Sequence, residues 1–167
     1  FALTKEQDRV IHALRVVSQK TGIHGMLGGQ SVDVENDGKP LEKEMLDYIY
    51  RNKTSALIEA SMMTGAILAG ANEQEVSAVE KAAGNIGLAF QIQDDVLDVI
   101  GETETIGKSV GSDEKNQKAT YVVFEGLEKA KQEVADLTDD AIAILQELPY
   151  ENPFLTELLR WMVLRDK

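Results

Sequence analysis

The sequence predicts an all-α fold, and three observations carry that reading. Apolar residues recur at helical spacing along most of the chain. Prolines are confined to positions 40, 149 and 153. No segment shows sustained strand-type alternation bounded by hairpin turns. The 167 residues, 43% hydrophobic and 28% charged, suffice for one domain with a sizeable core and are short for two.

The elements follow in order, with boundaries good to ~2–4 residues. The first helix, 4–20, opens on a capping box of Thr4 with Gln7 after an apolar lead-in. The second, 22–35, stops at Asn36-Asp37-Gly38-Lys39-Pro40, a run of turn formers and a helix breaker. The third, 41–69, stops at Gly70-Ala71-Asn72, and the fourth is 73–100. Gly101 to Lys118 reads as a polar loop, longer than a bundle connection needs and by that measure a functional one. Helices at 119–147 and 153–165 complete the chain, with no internal repeat or low-complexity segment.

Composition excludes several classes. The chain has no cysteine, so disulfides and thiolate metal sites are out, which fits a reducing cytosol. No apolar run approaches the ~18 residues of a membrane span, and the N-terminus lacks a secretory pattern. A net charge of −12 argues against nucleic acid, which needs clustered Lys and Arg. A cytoplasmic protein without stable membrane insertion is the expectation. The chain opens at Phe1 without an initiator methionine, as the interior of a longer sequence would.

Phe90 to Gly101, FQIQDDVLDVIG, carries the chemistry. On a helix Gln91, Asp94 and Asp98 share one stripe with Asp95 beside it, while Leu88, Ile92, Val96 and Val99 form the stripe that anchors the helix in the core. Most acidic clusters are solvated faces. Here the stripe borders apolar surface, and carboxylates ~6 Å apart repel by ~3 kcal/mol per pair at an effective dielectric of 20. Such a stripe calls for a cation, and carboxylates without nearby His or Cys suit magnesium or calcium. Magnesium commonly shares its remaining positions with phosphate oxygens, so phosphate chemistry is the first functional expectation.

The lysines strengthen it. Lys53 falls on the stripe of Ile49, Ala56, Leu57 and Ala60, the inward face of its helix, where its ammonium either snorkels outward or meets an anion. Thr54 adds a hydroxyl beside it. Lys108 lies in the loop after the aspartate helix and Lys118 ends that loop. Together they could bring positive charge to a diphosphate held near the aspartates.

With these residues assembled, FQIQDDVLDVIGETETIGKSVGSDEKNQKATYV resembles the second aspartate-rich motif, DDxxD, and its following loop in the trans-isoprenyl diphosphate synthases, the polyprenyl synthetase family. GMLGGQSVD and NKTSALIEA resemble two further signatures of that family, in the expected order. The resemblance runs from about residue 22 to 122 and is nearest to bacterial short-chain synthases making farnesyl or geranylgeranyl diphosphate. It implies an isoprenoid-synthase helical bundle around a central cavity. It also implies magnesium, with manganese as the alternative, and condensation of an allylic diphosphate (dimethylallyl or geranyl) with isopentenyl diphosphate. Carried over by position, Asp94 binds magnesium, with Asp95 and Asp98 as ligands or support. Lys53 and Lys108 hold the allylic diphosphate, Lys118 assists the departing pyrophosphate, and Thr54, Gln91 and Gln30 line the allylic site. Asp33 and Asp113 are further polar candidates. A homodimer is also implied.

The chain lacks the family's first aspartate-rich motif and its upstream basic residues, and Asp139-Asp140 in an amphipathic helix does not replace them. The expectation is therefore the C-terminal part of a single domain, inactive alone. Two alternatives are a non-catalytic subunit of a heteromeric synthase and a terpene cyclase-like relative; the intact DDxxD motif and lysines weigh against the first, Lys53-Thr54 and the loop against the second. Asp33 to Glu44 nearly matches a calcium loop, but Glu35 and Pro40 break the pattern. Gly84 and Gly87 are candidates for close helix approach.

Overall fold

The computed structural model describes residues 6–100 and 119–163. Among them every regular element is helical. Helix α1 is Gln7–Thr21, α2 Met26–Glu35, α3 Lys43–Ile49, α4 Ala56–Ala69, α5 Glu73–Ile100, α6 Tyr121–Glu125, α7 Leu127–Gln146 and α8 Pro153–Val163. Between α3 and α4 the helix continues unbroken as a π-helical segment, Tyr50–Ser55. Thr4 of the expected capping box lies outside the described residues.

Two boundaries differ from expectation. Residues 22–25 are a turn rather than the start of a helix, because the backbone doubles back too closely for side chains there. A Cβ on Gly25 would sit 2.0 Å from the Lys20 carbonyl oxygen, and one on Gly28 would sit 2.1 Å from that of Ile23. The expected helix at 119–147 is two helices. Gly126, at φ 83° in the left-handed region, breaks it into α6 and α7.

The α4–α5 corner shows how the sequence writes its punctuation. Gly70, at φ 98°, closes α4 in a Schellman motif, its N–H donating to Ile67 O at 3.0 Å and that of Ala71 to Ala66 O at 3.0 Å. Asn72 and Glu75 then form a reciprocal capping box: the Glu75 N–H donates to Asn72 Oδ1 at 3.0 Å and the Asn72 N–H to Glu75 Oε2 at 2.7 Å. The short connection turns α5 back along α4.

Helix α5 is the axis of the structure. At 28 residues it is about 42 Å long, and it packs against α4, the π segment, α6, α7 and α8, most extensively against α7. Ala82, Ala83, Ile86, Ala89 and Ile92 are fully buried along it. These small and β-branched residues let α7 approach closely, where Ala130 and Ala141 are equally buried. A second cluster, with Ala13, Val16, Met63 and Ile67 at its centre, joins α1 to α4.

That joint carries a charged clasp. Lys20 Nζ donates to Glu59 and, at 2.6 Å, to Glu80 Oε1, linking α1, α4 and α5. Burial pulls the Lys20 ammonium down, but the hydrogen bonds from both glutamates outweigh it and leave the group above its ordinary value.

Candidate diphosphate-binding site

The π segment is the local feature that builds the site. Its extra residue lengthens one turn, so the buried positions step from Tyr50 to Ser55, five apart, and the Ser55 hydroxyl donates to the Tyr50 carbonyl at 3.3 Å. Helix α4 therefore resumes with a shifted phase. Leu57, expected inward, is instead 41% exposed, while Ala56 and Ala60 stay buried. Lys53 and Thr54 are carried to the edge of the bundle interior, half-buried, between α2 and α5.

Two glycines permit this convergence. A Cβ on Gly29 of α2 would lie 2.4 Å from the Lys53 backbone nitrogen, and one on Gly87 of α5 would lie 2.5 Å from Ser55 Cα. Both contacts are with backbone, which cannot swing away. Gly87 thus performs the close approach expected of it. Gly84 faces only the Glu59 carboxylate, at 3.0 Å.

The polar side chains form two short chains that start from adjacent residues of the segment. Lys53 Nζ donates to Asp33 Oδ2 at 2.6 Å. Thr54 Oγ1 donates to Gln91 Oε1 at 3.0 Å, and Gln91 Nε2 reaches Asp94 Oδ2 at 3.4 Å. Five of the residues singled out from the sequence, Asp33, Lys53, Thr54, Gln91 and Asp94, are thus brought together from three elements. Gln30 is half-buried on α2 next to Gly29. Asp33 is helical and committed to Lys53, so the near-match to a calcium loop has no structural counterpart. Lys108, Asp113 and Lys118 lie outside the described residues.

The aspartates of α5 divide by depth. Asp94 is half-buried, whereas Asp95 is 7% and Asp98 2% exposed. Asp95 Oδ2 accepts from the Tyr50 hydroxyl at 2.6 Å and from the Tyr121 N–H at 2.7 Å. The apolar stripe behaves as expected at Leu88, Ile92 and Val96, but Val99 is 46% exposed in the last turn of α5. The sequence reading missed Tyr50, Tyr121 and Gly29; a polar run, Arg51 to Ser55, interrupting the apolar stripe of a long helix is the signal that marks the π turn.

Among the described residues no group of three acidic or histidine side chains converges in a geometry that could hold a metal. What these residues offer is an oxygen donor, Asp94, in a cysteine-free chain, beside the Gln91 amide that accepts from the Thr54 hydroxyl. That donor chemistry suits a hard cation shared with a phosphate-bearing ligand. The large cavity of about 860 Å³ between α4, α7 and α8, lined by Gly65, Leu145, Asn152 and Arg160 among others, includes none of these residues. Convergence of polar groups, not volume, marks the candidate site.

The family model described as Polyprenyl synthetase matches residues 1–149. The chain belongs to this family. Within this polyprenyl synthetase chain, 148 residues are 41% identical to the farnesyl diphosphate synthase of Escherichia coli, covering 88% of the chain and 49% of that protein. A farnesyl diphosphate synthase of Geobacillus stearothermophilus is 37% identical over 150 residues, covering 90% of the chain and 50% of the relative. The chain therefore spans about half the length of the curated relatives it matches. Among solved structures, a geranyltransferase from Helicobacter pylori, described as complexed with magnesium and isoprenyl diphosphate, superposes with a TM-score of 0.75 at 29% identity, covering 96% of the chain and 52% of that structure. The all-α isoprenyl diphosphate synthase fold is that of the chain. No helix among the described residues is long and apolar enough to cross a membrane.

Proposed function

We propose that this chain supplies the second-motif half of a prenyltransferase, which condenses isopentenyl diphosphate with dimethylallyl or geranyl diphosphate to give farnesyl or geranylgeranyl diphosphate. The single observation that carries the reading is the hydrogen-bonded chain from Thr54 through Gln91 to Asp94, with Lys53 adjacent to Thr54 on the π segment. It rests also on the family and on the relatives' names.

Each residue is assigned a task. Lys53 holds the allylic diphosphate by charge-assisted hydrogen bonds, Asp33 keeping the ammonium aimed until phosphate arrives. Lys108 is assigned the same ligand and Lys118 the departing pyrophosphate. The Thr54 hydroxyl donates to Gln91 Oε1, which leaves its oxygen lone pairs to the substrate; with Gln91 and Gln30 these dipoles are assigned to stabilise positive charge as the C–O bond breaks. Asp94 presents its carboxylate to magnesium, with manganese as the alternative, and Asp98 and Asp95 serve as ligands or support. Magnesium, when bound, neutralises the diphosphate and eases its departure. The electron pair of the isopentenyl double bond closes the new C–C bond, and loss of a proton restores neutrality.

A homodimer in the cytoplasm, with catalysis requiring the segment that carries the first aspartate-rich motif, completes the proposal. It is tested with the complete enzyme, magnesium, isopentenyl diphosphate and allylic partners of different length. Prenyl diphosphate product is expected. Release of a cyclic hydrocarbon from a diphosphate without isopentenyl diphosphate would point to the cyclase reading, and absence of turnover in any combination to the subunit reading.

A further inference from the structure

Asp95 stands apart from its neighbours. Adjacent residues on a helix point ~100° apart, so Asp94 and Asp95 face different surroundings. Asp94 faces Gln91 and the candidate site, while Asp95 turns into the core beside Tyr50 and Tyr121, 8% and 5% exposed. A carboxylate that deep is costly unless hydrogen-bonded, and here one oxygen, Oδ2, takes both a phenol O–H at 2.6 Å and a backbone N–H at 2.7 Å.

Those two donors come from separate elements. Tyr50 is the first residue of the π segment, three before Lys53, and Tyr121 is the first residue of α6. The ring of Tyr121 is covered by Lys43 Nζ at 5.2 Å from its centroid, and Lys43 pairs with Glu125, so α3 and α6 are held to each other at the same point. A single carboxylate oxygen thus pins the head of the π segment and the start of α6 to the helix that carries Asp94.

We infer that Asp95 is a positioning residue rather than a metal ligand: it fixes the π segment against α5, and so keeps Lys53 and Thr54 in register with Gln91 and Asp94. The inference rests on the proposed function for the role of Asp94. Its Oδ2 is taken up by donors of the π segment and α6, whereas Asp94 shares its side of the helix with Gln91. The double-aspartate sequence therefore encodes two tasks, one carboxylate for ligand and one for register.

The test uses the complete enzyme in four variants. Asp95→Asn keeps an acceptor oxygen but removes the charge, Asp95→Leu removes both, Tyr50→Phe removes one donor, and Asp94→Asn weakens the assigned ligand. Three readouts are followed: the magnesium concentration for half-maximal turnover, the KM for geranyl diphosphate, and amide hydrogen exchange of residues 50–55 and 121–125. Asp94→Asn should raise the magnesium requirement by ~10-fold or more without changing exchange. Asp95→Asn should keep the magnesium requirement within ~2-fold, since the acceptor survives and no metal bond is lost. Tyr50→Phe and Asp95→Leu should raise KM by ~10-fold and speed exchange in both segments, a displacement of the binding groups. A magnesium shift in Asp95→Asn equal to that in Asp94→Asn would overturn the inference, as would Tyr50→Phe with unchanged KM and exchange. Should Asp95→Leu not fold, Tyr50→Phe still decides. An unmoved magnesium requirement in Asp94→Asn would instead defeat the metal reading, with exchange in Tyr50→Phe still deciding the role of Asp95.

Discussion

Lys20 and Lys53 both meet carboxylates across helix interfaces, and they are built for different ends. Lys20 is held by both Glu59 and Glu80, in regular helix, where it joins α1 to α4 and α5. Lys53 has one carboxylate partner among the described residues, Asp33, and sits on a π segment with 35% of its side chain exposed. An ammonium has three donors. The first lysine is surrounded by its counter-charge and serves as a clasp. The second keeps capacity for another anion, beside a hydroxyl and an amide that lead to Asp94. A half-buried cation compensated by two carboxylates in regular helix reads as architecture; one compensated once, on irregular backbone, reads as a site.

The comparison can be broken or sharpened by substitution in the complete enzyme. The largest effect is expected for Asp94→Ala: turnover falls by ~10²–10³-fold or more, as for loss of a principal electrostatic contact, while the thermal midpoint holds. Steady-state kinetics with a melting curve check this, and near-normal turnover would remove Asp94 from the site. Next comes Gly87→Ala, whose added Cβ would meet Ser55 backbone at 2.5 Å. Forcing the π segment away should cost ~1–3 kcal/mol of stability and lower turnover as Lys53 and Thr54 shift; denaturant unfolding and kinetics measure both.

Asp33→Asn should act more mildly. It keeps a hydrogen-bond acceptor for Lys53 but removes the charge, so KM for the allylic diphosphate should change by less than ~10-fold, equivalent to ~1.4 kcal/mol, with kcat little altered. The smallest effect lies away from the site. Glu125 is drawn down to about 2 by its hydrogen bonds to Lys129 and Lys43. A depressed carboxylate stabilises the fold above its ordinary 4.5 and loses that contribution as pH falls through about 2. Hydrogen exchange in α6 should therefore quicken as pH drops across that window after correction for intrinsic rates, and Glu125→Gln should flatten the dependence.

Much of this was legible in the sequence because local rules suffice for it. Periodicity located the long helices, and Gly70-Ala71-Asn72 marked a break between two of them, where a Schellman motif and a capping box formed. Gln91 and Asp94 share a stripe by spacing alone, and Lys53-Thr54 stood out because an ammonium on an apolar stripe needs a reason. The remainder depends on pairings far apart in the chain. Nothing near Asp95 announces Tyr50, 45 positions away, or the amide of Tyr121, 26 away. The π turn escaped for a different reason. One extra residue slips the helical phase by about a quarter turn, too little to end an apolar pattern but enough to turn Leu57 outward and to bring Ser55 into full burial. Gly29 sits inside a predicted helix with no local signal of its role, which is set by the backbone of Lys53 packed against it.

The most direct test of the account sets the two lysines side by side. Lys53→Ala and Lys20→Ala are made in the complete enzyme, and each is measured for turnover of isopentenyl diphosphate with geranyl diphosphate and for unfolding free energy. Lys53→Ala should lose ~10²-fold or more in turnover with stability within ~1 kcal/mol of the parent. Lys20→Ala should lose ~1–3 kcal/mol, because Glu59 and Glu80 are left facing each other unpaired, with kcat within ~2-fold. Two lysines that changed both quantities alike, or exchanged these roles, would contradict it.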